Sequence, residues 1–253
     1  MKINTYTGII IQARIDSNRL PNKVLLKIEG KPLIWHVFNR VRKIKKVDRL
    51  ILATTNRSKD KRLINFAQKN KIDYFGGSSK NVLDRFYQCA KSYNLDIIIR
   101  ITADCPLIDP GLIEEMLNFF KKKKFDYVSN TIEPTYPDGL DVEVFSFKSL
   151  KKTWLNAKKN SEKEHVTSFI KNNPKQFKIF NYKNNIDLSN FRWTVDQKED
   201  LVFVRKVYRF MNPKKKFDMK FILHKLEKNP NILKINDGIK RNEGYQKSVL
   251  LDK

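Results

Sequence analysis

The chain has 253 residues, a formal net charge of +25, and two cysteines, Cys89 and Cys105. Its apolar fraction of 40% and aromatic fraction of 11%, with only 8 Gly and 9 Pro, exclude a disordered or collagen-like chain and leave enough apolar side chains for a sizeable core. Two cysteines exclude a disulfide framework and a cysteine-based zinc site, so both are expected as free buried thiols; no apolar run reaches the roughly 18–20 residues that cross a bilayer, so a cytoplasmic protein is expected.

In chain order, short runs rich in Ile and Val alternate with segments of helical periodicity. TGIIIQA leads into a helix over 32–45, DRLILATT into one over 59–70, a short IDYFGG into one over 81–93, and DIIIRIT into one over 110–123. Pro32 and Pro110 suit first turns, where the missing N–H costs nothing. This βαβα rhythm predicts an α/β fold: a Rossmann-like, mixed and mostly parallel sheet flanked by helices. After Phe125 the rhythm loosens. FDYVSN, LDVEVFS and FKIFNY follow with a helix only over 146–158, which predicts antiparallel or mixed pairing. FRWTVD reads as a last strand, followed by helices over 198–210 and 218–228 and a polar tail over 236–253. With no repeat or linker, one domain over 1–253 is expected, carrying a small elaboration at about 126–190.

The positive charge is spread along the chain (Lys43, Lys45 and Lys46; Lys121 to Lys124; Lys214 to Lys216) and is not gathered in one stripe. A nucleic-acid-binding protein, whose affinity would depend steeply on salt, is the alternative of another class. The distribution fits a lysine-biased composition and an anionic small substrate instead, with no specific nucleic acid.

Three segments carry chemistry. In open α/β sheets ligands collect outside the carboxyl ends of the strands, and IIIQARIDSNRLPNK places Arg14, Arg19 and Lys23 in the loop after the first strand. Forked guanidinium donors and a compact ammonium can hold a triphosphate; the alternative is a solvated basic loop. Neither the GxxxxGK[ST] loop nor the GxGxxG fingerprint occurs, so phosphate would have to be held by side chains. RITADCPLID ends the most apolar strand with Asp104, where a hard carboxylate could meet magnesium, while Asp109 before Pro110 reads as a helix cap. FRWTVD ends in Asp196, a second candidate metal ligand or an N-cap.

The segments IIIQARIDSNRLPNKVLLKIEGKPLI, LILATTN, NVLDRF, IIRITADCPLIDP, YPDGLDVEVFS, EKEHVTSFI and RWTVDQKEDL, in this order, resemble the cytidylyltransferases of the spore coat polysaccharide biosynthesis protein F type. They are similar, more distantly, to those for acylneuraminate and 3-deoxy-manno-octulosonate. The resemblance implies a nucleotidyltransferase fold that moves CMP from CTP to a sugar or sugar-like acid. It implies a triphosphate on Arg14, Arg19 and Lys23, Mg2+ between Asp104 and Asp196, and a nucleotide pocket with Gln12, Ala13, Thr54, Asn56, Thr102 and Ala103. It also places PDGLDVEVF and SEKEHV beside the acceptor, so that Asp138, Asp141, Glu143, Glu164 and His165 are candidate acceptor contacts; the alternative for Glu164 and His165 is a charged helix start with an exposed histidine, and Arg85 and Arg100 meet an acceptor carboxylate or phosphate or else pair with acids. A homodimer is the oligomeric expectation. The sugar-acid enzymes usually carry proline where Gln12 stands and a QGD-like segment where Thr102-Ala103-Asp104 stands; another NTP, or a phosphate or phosphonate acceptor, is therefore the enzymatic alternative.

Overall fold

The computed structural model describes residues 5–17, 19–210 and 217–252. Among them the chain runs through β1 (Thr7–Gln12), a two-strand hairpin β2 (Lys27–Ile28) and β3 (Lys31–Pro32), α1 (Leu33–Val41), β4 (Arg49–Thr55), α2 (Lys61–Lys69), β5 (Asp73–Gly77), α3 (Val82–Ser92), β6 (Ile97–Thr102) and α4 (Pro110–Lys123). The second half adds β7 (Tyr127–Ser129), β8 (Glu143–Ser146), α5 (Phe147–Asn156), α6 (Asn160–Glu164), α7 (Ser168–Asn172), β9 (Ile179–Asn181), α8 (Lys198–Arg209), α9 (Met219–Glu227) and α10 (Glu243–Leu250).

Seven strands form one sheet in the order β5-β4-β1-β6-β8-β7-β9. The β5-β4-β1-β6 half is parallel, β8 pairs antiparallel with both β6 and β7, and β9 is parallel to β7. The nearly unbroken apolar runs of the central strands follow from burial on both faces. Ile9 and Ile11 of β1 and Ile97, Ile99 and Ile101 of β6 enter one layer under α1, α4, α8 and α9; Ile10 and Ile98 enter the opposite layer under α3, α5 and α7. Burying each such side chain stabilises the fold by about 1.5–3 kcal/mol. Local signals set the helix starts: the Asn81 side chain accepts from Asp84 N, and Asp109 Oδ1 accepts from Gly111 N ahead of Pro110. No helix among the described residues is long and apolar enough to cross a membrane, and both cysteines are buried and free.

Two expectations are corrected. FRWTVD is not a strand: it runs extended behind the sheet edge with a single parallel bridge, Arg192 to Asp138. Its backbone is used on two sides, since Phe191 O accepts from Asp138 N at 2.9 Å and Val195 N donates to Asp104 O at 2.9 Å. The polar tail is not without structure, because it contains α10.

The junction of segments 138–140 and 191–196 is tight. Gly139 has φ of +112°, and a Cβ there would stand 2.5 Å from Thr194 N and 2.6 Å from Trp193 C. Gly139→Ala is expected to lower stability by about 2–4 kcal/mol through backbone strain and this clash, read as a drop in the urea midpoint.

Candidate active site

The first loop is built by a buried acid far along the chain. Asp60 is fully buried and accepts from Ile15 N at 2.7 Å, from the Thr55 hydroxyl and from Arg57 Nη2 at 2.9 Å; Arg57 and Lys59 in turn hold Asp16 at 2.5 and 2.6 Å. The loop is thereby pinned to β4, and its remaining cations face the carboxyl edge of the sheet. Arg14, half exposed, reaches Glu164 at 3.7 Å, and Arg19 reaches Asp196 at 2.9 Å and Glu243 at 3.5 Å.

Lys23 is the centre of the arrangement. Its Nζ lies 2.7 Å from Asp104 Oδ2 and 2.6 Å from Asp196 Oδ1. The two acids are joined behind it: Asp104 O accepts from Val195 N, and Asp196 N and Gln197 N both donate to Asp200 Oδ2 at 2.9 and 3.0 Å. Arg192 binds Asp200 at 2.9 and 3.0 Å, Asp138 at 2.8 Å and Asp196 at 3.3 Å, so one guanidinium sets three carboxylates. Gln197, not Asp196, is the N-cap residue of α8, which leaves the Asp196 side chain aimed at Lys23 and Arg19. Burial opposes charge on Lys23, yet Asp104 and Asp196 outweigh it and raise its pKa above the ordinary lysine value. Burial likewise opposes charge on Asp104, but the Lys23 charge and hydrogen bond hold its carboxyl down to about 2.

On the other side of the loop, Ala13 N donates to Ala53 O and Ala103 N to Gln12 O, so both residues continue their strands by one ladder bond. Thr54 is buried with its hydroxyl unpartnered among the described residues, Asn56 N donates to Gly77 O, and a Cβ on Gly76 would meet Asn56 Oδ1 at 2.2 Å. Thr102 lies against the Cys105 thiol at 3.2 Å. Arg85 lies on this side, apart from Asp138 and Asp141. It is 2% exposed, donates to Ser78 O, and has no carboxylate partner among the described residues; burial first, then Arg14, pushes its pKa down to about 10.

The remaining candidates form three pairs. Arg100 and Glu143 face each other across β6 and β8, and Arg100 also donates to Gln12 Oε1 at 3.1 Å. Glu143 further accepts from Tyr127, Thr167 and Lys171. Against the cost of burial, Lys171 and Arg100 keep Glu143 ionised well below the ordinary carboxylate range. Asp138 and Asp141 share Arg241, and burial beside Asp141 lifts the Asp138 carboxyl to about 7 despite Arg241 and Arg192. Glu164 and His165 lie nearer the first loop, on α6 and just after it, with His165 Nε2 3.1 Å from Ser248 Oγ. Burial keeps His165 below the ordinary histidine value.

Asp60, Lys171, Arg192, Asp200 and Arg241 belong to this arrangement and were not assigned roles from the sequence. Only Asp200, three residues after the Gln197 cap, carried a local signal. A cavity of about 820 Å³ lined by Trp35, His36, Arg40, Tyr208 and Phe217 contains none of the site residues.

A parallel-sheet fold with a basic loop and two opposed carboxylates at one edge defines a nucleotidyltransferase of Rossmann-like fold. The chain belongs to the cytidylyltransferase family, whose model, described as "Cytidylyltransferase", matches residues 8–250. The chain is similar to a cytidylyltransferase structure from Leptospira borgpetersenii, with a TM-score of 0.89 and 30% identity, covering 94% of this chain and 100% of that one. It is 29% identical to the spore coat polysaccharide biosynthesis protein SpsF of Bacillus subtilis over 88% of this chain and 94% of the relative. A 3-deoxy-manno-octulosonate cytidylyltransferase of Hydrogenovibrio crunogenus is 34% identical over only 47% of this chain and 49% of its own length.

Replacing Lys23 with Met leaves Asp104 and Asp196 opposed without their cation, an expected loss of about 1–3 kcal/mol at pH 7. The folded-state pKa of Asp104, about 2, lies below the ordinary 3.8. Its contribution is therefore present above about pH 4 and lost as the pH falls through 2, so the deficit of the variant should narrow over that window in denaturation curves taken at several pH values.

Proposed function

We propose that this cytidylyltransferase transfers CMP from CTP to a sugar or sugar-like acid, releasing pyrophosphate, in the assembly of a surface polysaccharide or glycan. The convergence of Asp104 and Asp196 on Lys23 Nζ, with Arg19 also on Asp196, carries the reading. The names of the B. subtilis and H. crunogenus relatives support the acceptor class.

The donor set suits Mg2+. Two carboxylates already converge on one cationic atom, and among the described residues no group of three or more acidic, histidine or cysteine side chains is arranged to hold a metal ion by itself. Two protein carboxylates with the remaining positions left to phosphate oxygens and water is the usual way Mg2+ is held. Asp104 and Asp196 would be its ligands. When bound, Mg2+ would neutralise phosphate charge and help orient the triphosphate.

The chain's own residues account for the rest. Arg14, Arg19 and Lys23 bind triphosphate oxygens, and Lys23 exchanges its carboxylates for phosphate as the nucleotide arrives. Gln12, Ala13, Thr54, Asn56, Thr102 and Ala103 line the nucleotide side, where Arg85 adds a buried cation. Asp138 and Asp141 receive acceptor hydroxyls or an amine, while Glu143, tied to Arg100, keeps the floor of that side rigid. An acceptor oxygen attacks the α-phosphorus in line, its new bond forming as the bond to the β-phosphate oxygen breaks and pyrophosphate leaves with that electron pair. Positioning and fixed positive charge supply the acceleration.

Purified protein is expected to release pyrophosphate from CTP, with Mg2+ and a suitable acceptor in a panel of sugars and sugar acids, and chelation by EDTA should abolish release. Asp104→Asn and Asp196→Asn should each lower kcat by about 100- to 1,000-fold with the circular dichroism spectrum unchanged. Among the four nucleotides with Mg2+, CTP should give the largest rise in Tm, about 2.7 kcal/mol of stabilisation at a hundredfold excess over Kd; a larger rise with UTP, GTP or ATP would overturn the choice of CTP.

A further inference from the structure

The last described segment, 236–252, crosses the proposed acceptor side of the site and touches Asp138, Asp141, Glu164 and His165. Its first part is firmly held. Asn236 Nδ2 donates to Arg192 O at 2.9 Å and Asp200 Oδ1 at 3.0 Å, and Arg241 donates to Tyr136 O at 3.1 Å and Asp141 Oδ1 at 2.5 Å.

The second part, α10 and the two residues after it, is held differently. None of the side chains of α10 is buried, and Leu250 and Leu251 are 64% and 83% exposed. Its attachments are polar: Glu243 to Arg19 at 3.5 Å, Ser248 Oγ to Glu164 Oε2 at 2.7 Å and to His165 Nε2 at 3.1 Å, and Asp252 Oδ1 to Ser161 N at 3.1 Å. The Tyr245 ring stands edge-on to His165 at 5.0 Å. An eight-residue helix does not persist alone in water, and exposed ion pairs contribute little, so these few contacts decide whether α10 stays in place.

Two of them run through the nucleotide loop. Arg19 holds Glu243, and Arg14 holds Glu164, the carboxylate that also accepts from Ser248. A triphosphate presents several negative charges and geometry suited to guanidinium forks, and so competes strongly with a single exposed carboxylate. Once phosphate occupies Arg19, Glu243 has lost its partner and faces like charge, and Glu164 loses Arg14 in the same way.

We propose that α10 is a nucleotide-released cover of the acceptor side: Arg14 and Arg19 hold it through Glu164 and Glu243, and CTP binding takes those arginines and frees it. This rests on the reading that Arg14 and Arg19 bind the triphosphate. The anchor at Asn236 and Arg241 keeps the freed helix tethered beside Asp138 and Asp141 while the Glu164–His165 end opens.

Amide hydrogen exchange of the full chain with Mg2+, with and without saturating CTP and without acceptor, tests it, with CTP binding measured on the same sample by calorimetry. Exchange over 244–252 is expected to rise at least about fivefold with CTP. Unchanged or slower exchange, with CTP bound, would overturn the cover while leaving the nucleotide reading intact; absence of a binding heat would remove both. Ser248→Ala alters no charge and removes the hydroxyl by which α10 meets Glu164 and His165. It should show fast exchange over 244–252 without CTP and bind CTP about two- to fivefold more tightly, the equivalent of part of one hydrogen bond. Fast exchange with unchanged CTP affinity would contradict the coupling.

Discussion

Two carboxylates brought to the same point of a sheet edge repel each other, and the edge of this sheet keeps them there because Lys23 stands between them. Asp104 arrives at the end of β6 and Asp196 on an extended segment ninety-two positions later, and both lie within 2.7 Å of the same ammonium. The rest of the site follows from that requirement. Asp104 O must bond Val195 N to hold the two segments together, and Arg192 must satisfy Asp138, Asp196 and Asp200 at once. Asp60 must fix the loop from which Lys23 descends. In the proposed reaction Lys23 is also a cation that nucleotide and metal would displace, releasing the two carboxylates that a divalent ion needs.

The side proposed for the acceptor is organised by the same principle, with opposite charges balanced against each other. Glu143 is held by Arg100 and Lys171, and Asp138 and Asp141 by Arg241, so a buried acid there stands beside a cation that limits its cost. The two sets differ in depth. Glu143 is nearly inaccessible and its network is structural, whereas Asp141 retains 30% side-chain exposure and can meet a solute. The carboxy-terminal segment closes the arrangement from outside, and it does so with surface contacts where the inner networks use buried ones.

Much of this was legible in the chain itself. The Ile runs of β1 and β6 carry their two-sided burial as unbroken apolarity, and Asp109-Pro110 announces the start of α4 with a cap and a first-turn proline. The loop cations and Asp104 are readable because a parallel sheet sends its strand ends to one edge. FRWTVD has the composition of a strand and was read as one; its ladder partners are instead the single residues Asp138 and Asp104, a tertiary arrangement no local pattern records. Asp60, Lys171 and Arg241 are silent because each acts on a partner distant in the chain and chosen by the fold, Ile15, Glu143 and Asp141 respectively. α10 was silent because a helix with no buried side chain leaves no apolar period to detect.

The central claim is that Asp104 and Asp196 are a cation site completed by the nucleotide. Binding of Mn2+ in the presence of CTP, followed by electron paramagnetic resonance on the wild-type chain and on the Asp104→Asn, Asp196→Asn double variant, tests it most directly. The account predicts one Mn2+ bound per chain only when CTP is present, and its loss in a double variant that remains folded. Equal Mn2+ and CTP binding by the folded double variant would contradict it.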